Sequence, residues 1–163
     1  MYVNEIDMFR LRPRHVAAGT ALLGAIGLLS AAFLFTTIPE EPPGDGFAAG
    51  LTGIFVLLYG VAGSLALAEA GLLALVTRLW APTGRPRRLL MAGALAGGLA
   101  VVLLVGPVLL VRLFGALVGR PVLWGSEYAL GLGLALVPVG IACSGLGVIL
   151  QFVRSVSGGS GAN

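Results

Sequence analysis

Lysine is absent from this chain of 163 residues, and all ten of its basic positions are arginine. Histidine and cysteine occur once each, as His15 and Cys143. A single cysteine excludes an intrachain disulfide, and one Cys with one His cannot build a zinc site. Charge is scarce too: 10% of residues carry it, against about 25% in a soluble domain. There is no phosphate-binding loop, zinc-protease motif or nucleophile elbow. No histidine lies inside an apolar run, where haem or quinone chemistry would want one. Neither a cofactor nor an enzymatic activity is expected.

Apolar residues fill the space. They make up 58% of the chain, with a mean hydropathy of +1.02. They fall into four runs, roughly 15–38, 47–77, 89–118 and 129–153. Each is long enough for a helix to cross a hydrocarbon core of about 30 Å. The expected fold is therefore all-α: one domain over residues 1–154, a bundle of four transmembrane helices, followed by a flexible tail at 155–163. The first run exceeds the ~7–15 residues of a signal-peptide core, and Ser30-Ala31-Ala32 is a poor cleavage site followed by more apolar sequence. It reads as an uncleaved span.

The connections differ in charge. PEEPPGDG at 39–46 is acidic and breaks any helix. RLWAPTGRPRR at 78–88 carries Arg78, Arg85, Arg87 and Arg88, and the N-terminal segment carries Arg10, Arg12 and Arg14. Arginine bias places both termini and the 78–88 connection on the cytoplasmic side of a cell membrane. Trp80 then sits near the inner boundary, and Trp124 and Tyr128 near the outer one. The arginines explain the formal charge of +3 by topology, so nucleic acid is not an expected partner. Arg85, Arg87 and Arg88 are cytoplasmic-face residues that could meet anionic lipid. Arginine without lysine, with abundant glycine, alanine and proline, indicates a GC-rich prokaryotic source.

Small residues recur four apart. Ala17, Ala21 and Ala25 do so in the first run; Gly60 and Ser64, and Ala62, Ala66 and Ala70, in the second; Gly93 and Gly97 in the third; Gly140 and Ser144 in the fourth. In a bilayer, close backbone approach and dispersion draw helices together, so these positions are the expected seams. Pro107 and Pro138 are expected to kink their helices. A shift of 74 residues aligns Gly24 with Gly98 and Gly71-Leu72 with Gly145-Leu146. In so Gly- and Ala-rich a chain, that match carries little weight.

Glu69 is the anomaly. It interrupts GSLALAEAGLLALV, residues 63–76, where a charged carboxylate costs about 2.5–3.5 kcal/mol to insert. The group must be protonated or partnered. Glu69 lies about 12 Å from the inner end of its run, whereas Arg112 lies about 34 Å from the inner end of its own, so the depths do not match. Thr20 and Ser144 do share the depth of Glu69, and Gly97-Gly98 leaves room there. The expected feature is an intramembrane polar layer of Glu69, Thr20 and Ser144, with the carboxyl protonated. The expected role is non-enzymatic: an accessory, scaffold or assembly component acting through helix contacts, in a homo-oligomer or a larger membrane complex with the lipid bilayer around it. The alternative is a small oligomeric transporter or channel with Glu69 as its proton or cation site.

Overall fold

The structure is a computed structural model, and it describes residues 12–38, 46–118 and 126–159. They form four helices: α1 (Pro13–Thr36), α2 (Phe47–Trp80), α3 (Arg85–Val118) and α4 (Ser126–Gly159). Each contains a stretch long and apolar enough to span a membrane. Most of the 39–46 connection, Trp124 and the first eleven residues lie outside the described residues.

Six helix ends depart from the sequence expectation, most at the start of α3 and the end of α4. α3 starts at Arg85, not near 89, and the α2–α3 connection shrinks to residues 81–84. Pro86 sits in the first helical turn, where a missing N–H costs nothing because that N–H has no intrahelical acceptor. The turn is made by Ala81 at φ 40° and Gly84 at φ 68°. The second correction concerns the tail. Residues 155–159 are not a flexible extension but the last turn of α4. The Ser155 and Ser157 hydroxyls donate to the carbonyls of Phe152, at 2.7 Å, and Val153, at 2.9 Å. Serines that bond back onto their own helix need no other partner. α3 and α4 continue as helix through Pro107 and Pro138.

Consecutive helices pack as antiparallel hairpins, α1 with α2 and α3 with α4. α2 and α3 also touch each other, α1 touches α3, and α2 touches α4, whereas α1 and α4 do not meet among the described residues. The section is a rhombus with α2 and α3 on its short diagonal. α3 is accordingly the most enclosed helix, with half of its apolar stretch buried. α1 and α3 run side by side in one direction, and their touching pairs Thr20–Ala94 and Gly27–Val101 are each 74 residues apart. The offset of the sequence match is thus the register of two neighbouring helices.

The core falls into two apolar clusters. One joins Ala31, Leu34, Tyr59, Ala62, Ala66, Val101, Leu104 and Val105. The other joins Val16, Ala17, Leu73, Val76, Leu90 and Ala94. Between them lies a level where α3 contributes glycine, at Gly93, Gly97 and Gly98, and where the buried polar residues gather. The outer surface is apolar on every helix: Leu22 and Leu29 on α1, Leu57 and Val61 on α2, Leu99 and Leu110 on α3, and Ile149 and Phe152 on α4 are all exposed.

Candidate functional site

Glu69 belongs to the inward stripe of α2. Ala62, Ala66, Leu73 and Val76 occupy the same helical face and are buried. Helical spacing therefore carries Glu69 inward with them, and only 7% of it remains exposed. Its carboxyl passes between α3 and α4 where both helices have glycine. A Cβ added to Gly140 would lie 2.6 Å from Oε1, and one added to Gly97 would overlap Oε2. Any larger residue at either position would claim the carboxyl's space. Among the described residues Oε2 has no hydrogen-bond partner.

Ser144 follows Gly140 by one turn of α4. It is buried, its Oγ faces Gly93 of α3, and that Oγ has no hydrogen-bond partner. Thr20 approaches α3 from the α1 side. Its hydroxyl donates to the Ala94 carbonyl at 2.9 Å, and a Cβ on Gly98 would lie 3.4 Å from its Oγ1.

Thus Thr20, Glu69 and Ser144 reach one level of the bundle, each against α3 and none hydrogen-bonded to another. The hydroxyl of Thr20 is committed to a backbone carbonyl. The close partners of the layer are α3 glycines and Gly140. Gly97 was legible as space beside Glu69; Gly140 and the Ala94 carbonyl were not. The sequence signal for Gly140 is the Gly140-x-x-x-Ser144 spacing; nothing in the sequence marks the Ala94 carbonyl.

Chemically, a lone buried carboxyl can hold a proton and, when protonated, donate a hydrogen bond. Among the described residues no second acid or base stands beside it with which to share a proton transfer. Among the described residues no group of three His, Cys, Asp or Glu could hold a metal ion. His15 and Cys143 stand on α1 and α4, which do not touch.

Among the described residues seven arginines, Arg12, Arg14, Arg78, Arg85, Arg87, Arg88 and Arg154, gather at one end, because α1 and α3 begin where α2 and α4 finish; Arg112 lies toward the other end of α3. Arg85 and Arg88 are exposed, and Arg87 is half-buried. Arg154 donates to the Thr83 carbonyl at 3.1 Å, tying the end of α4 to the α2–α3 turn. Between the start of α1 and the end of α2 opens a cavity of about 760 Å³, lined by Arg12, Pro13, Arg14, Ala74, Thr77 and Arg78. Apolar grooves of about 450 and 360 Å³ follow the α1–α3 seam, and one of about 200 Å³ lies between α2 and α4. Glu69 lines none of these four. Comparison with known protein families, with curated proteins and with solved structures finds no match to this chain.

Proposed function

We propose that the chain is a multi-pass protein of the cell membrane, crossing four times with both termini in the cytoplasm. We further propose that it acts without catalysis, as an accessory or assembly component working through helix contacts. One observation supports this best: four helices of spanning length expose large apolar side chains outward and bring seven of the described arginines together at one end. Water would not tolerate such a surface, and a bilayer would hold the arginine end on the cytoplasmic side.

Cysteine labelling tests the topology. In a Cys143→Ala background, Thr37→Cys at the end of α1 should react with an impermeant maleimide on intact cells. Thr83→Cys, in the turn at the arginine end, should react only after permeabilisation. The reverse pattern inverts the protein, and labelling of both sites on intact cells removes the membrane reading.

A second reading is favoured by Glu69 Oε2, buried without a partner. Intramembrane acids often serve transport, and the carboxyl would then be a proton or cation site. Proteoliposomes driven by a potassium gradient separate the two. For an accessory protein, proton entry should match that of empty vesicles, and Glu69→Gln should change nothing. For a transporter, entry should exceed that background and Glu69→Gln, while still folded, should abolish the excess.

A further inference from the structure

We propose that the cavity between the start of α1 and the end of α2 binds the headgroup of an anionic phospholipid, its phosphate held by Arg12, Arg14 and Arg78. The proposal rests on the chain lying in a bilayer. Arg12, Arg14 and Arg78, all three exposed, line one cavity of about 760 Å³, and no carboxylate among the described residues pairs with any of them. Like charges collected around one space repel unless an anion enters it. Guanidinium groups present planar, forked donors that fit phosphate oxygens better than a point charge does.

The surrounding backbone has the same preference at α1. That helix begins with no side-chain cap and no acid in its first turn, so among the described residues no anionic side chain offsets its positive end. α2 ends at the same cavity, and Arg78 in its last turn offsets the negative end there. Thr77 turns its hydroxyl back to the carbonyls of Leu73 and Ala74, at 2.7 and 2.9 Å, and so leaves donation into the cavity to the arginines.

The apolar surroundings suit a lipid more than a free anion. Leu75, Leu79 and Trp80 are exposed on the adjoining faces of α2, next in sequence to the cavity-lining Ala74, Thr77 and Arg78. Acyl chains can lie along that surface while the phosphate stays among the arginines. The other basic residues of this end differ. Arg154 is bonded to Thr83, and Arg85 and Arg88 project from the exposed start of α3 without lining this cavity. The site is therefore specific to three arginines and is not a property of the whole basic end.

The test uses the full chain in neutral detergent, with native mass spectrometry to count retained lipid and a thermal melt beside it. Phosphatidylglycerol should be retained over phosphatidylcholine by roughly tenfold, the order expected for a few arginine contacts near a membrane surface. It should also raise the melting temperature. Arg14→Gln/Arg78→Gln should bring the two lipids close to parity. Arg85→Gln/Arg88→Gln, which removes the same charge, should keep the preference. Arg12→Gln is the second variant, expected to reduce the preference in part. Equal loss from both double variants would overturn the site, as would equal retention of the two lipids in the wild type. Inorganic phosphate matching phosphatidylglycerol in the melt would overturn the lipid assignment. Failure here with the cysteine pattern intact removes the site alone; loss of that pattern removes the membrane reading beneath it.

Discussion

Gly63→Ala should separate α1 from α2 and lower the melting temperature of the detergent-solubilised protein by a margin that few other single methyl groups could match. A Cβ at Gly63 would lie 2.8 Å from the Gly24 carbonyl oxygen and 2.8 Å from the Leu28 nitrogen. Both are backbone atoms of α1, so no side-chain rotation makes room, and the helices must part along their length. The contact is reciprocal: a Cβ at Gly24 would meet the Gly63 oxygen at 2.8 Å and the Leu67 nitrogen at 3.0 Å. Overpacking of this kind costs about 1–3 kcal/mol where neighbours can shift, and occasionally more. Parting also weakens dispersion and Cα–H···O contacts, which hold helices together when the surroundings are as apolar as the protein. Gly71 supplies the control. Nothing lies within 4 Å of a Cβ there, and alanine is the better helix former by about 1 kcal/mol. Gly71→Ala should therefore hold or raise the melting temperature. If the two substitutions behaved alike, the α1–α2 seam would not run through Gly63.

The number of helices and the relative height of residues along the bundle were open to reading from the chain, whereas the direction in which residues face was legible only in part: Ala62, Ala66 and Ala70, Gly93 and Gly97, and Gly140 and Ser144 are buried as their spacing predicts, but two other seams are not as expected. Depth is legible because a helix advances a fixed ~1.5 Å per residue, so counting inward from the arginine-rich ends puts Thr20, Glu69 and Ser144 at one height. Facing is different. The expected α1 seam of Ala17, Ala21 and Ala25 is, in the structure, Val16, Ala17, Thr20, Gly24, Gly27, Ala31 and Leu34. Ser64, paired with Gly60 as a seam by spacing, is exposed. When glycine, alanine and leucine occur on every side of a helix, composition marks no inner face. The choice is then made by which backbone a partner can approach, as at Gly24 against Gly63. Helix ends were hidden for a related reason. Pro86 falls in the expected 78–88 connection and the serines in the expected flexible tail, yet a proline in the first turn and serines bonded to their own carbonyls are both compatible with helix.

The second large effect should come as a coupling. Gly97→Ala should destabilise the bundle by about 1–3 kcal/mol, because its Cβ claims the space of Glu69 Oε2. Glu69→Ala removes that obstacle, at the cost of a small cavity and with the gain of one less unpartnered buried polar atom. The double variant Gly97→Ala/Glu69→Ala should then lose less stability than the two single losses added, with an interaction of about 1–2 kcal/mol, within the range for side chains in direct contact. Gly93→Ala provides the contrast. Its Cβ meets Ser144 and the Gly140 carbonyl rather than Glu69, so Glu69→Ala should give it no relief. Glu69→Gln keeps the length and shape of the side chain and changes only its charge and donors, so it should leave the penalty of Gly97→Ala in place. A cycle relieved by Ala and not by Gln would identify the space taken by the side chain as the cause. Relief by both would point instead to charge, and would move Glu69 from a wedge between α3 and α4 to an ionised group that the glycines merely tolerate. Strict additivity in every pair would mean that the carboxyl does not pass between Gly97 and Gly140 at all.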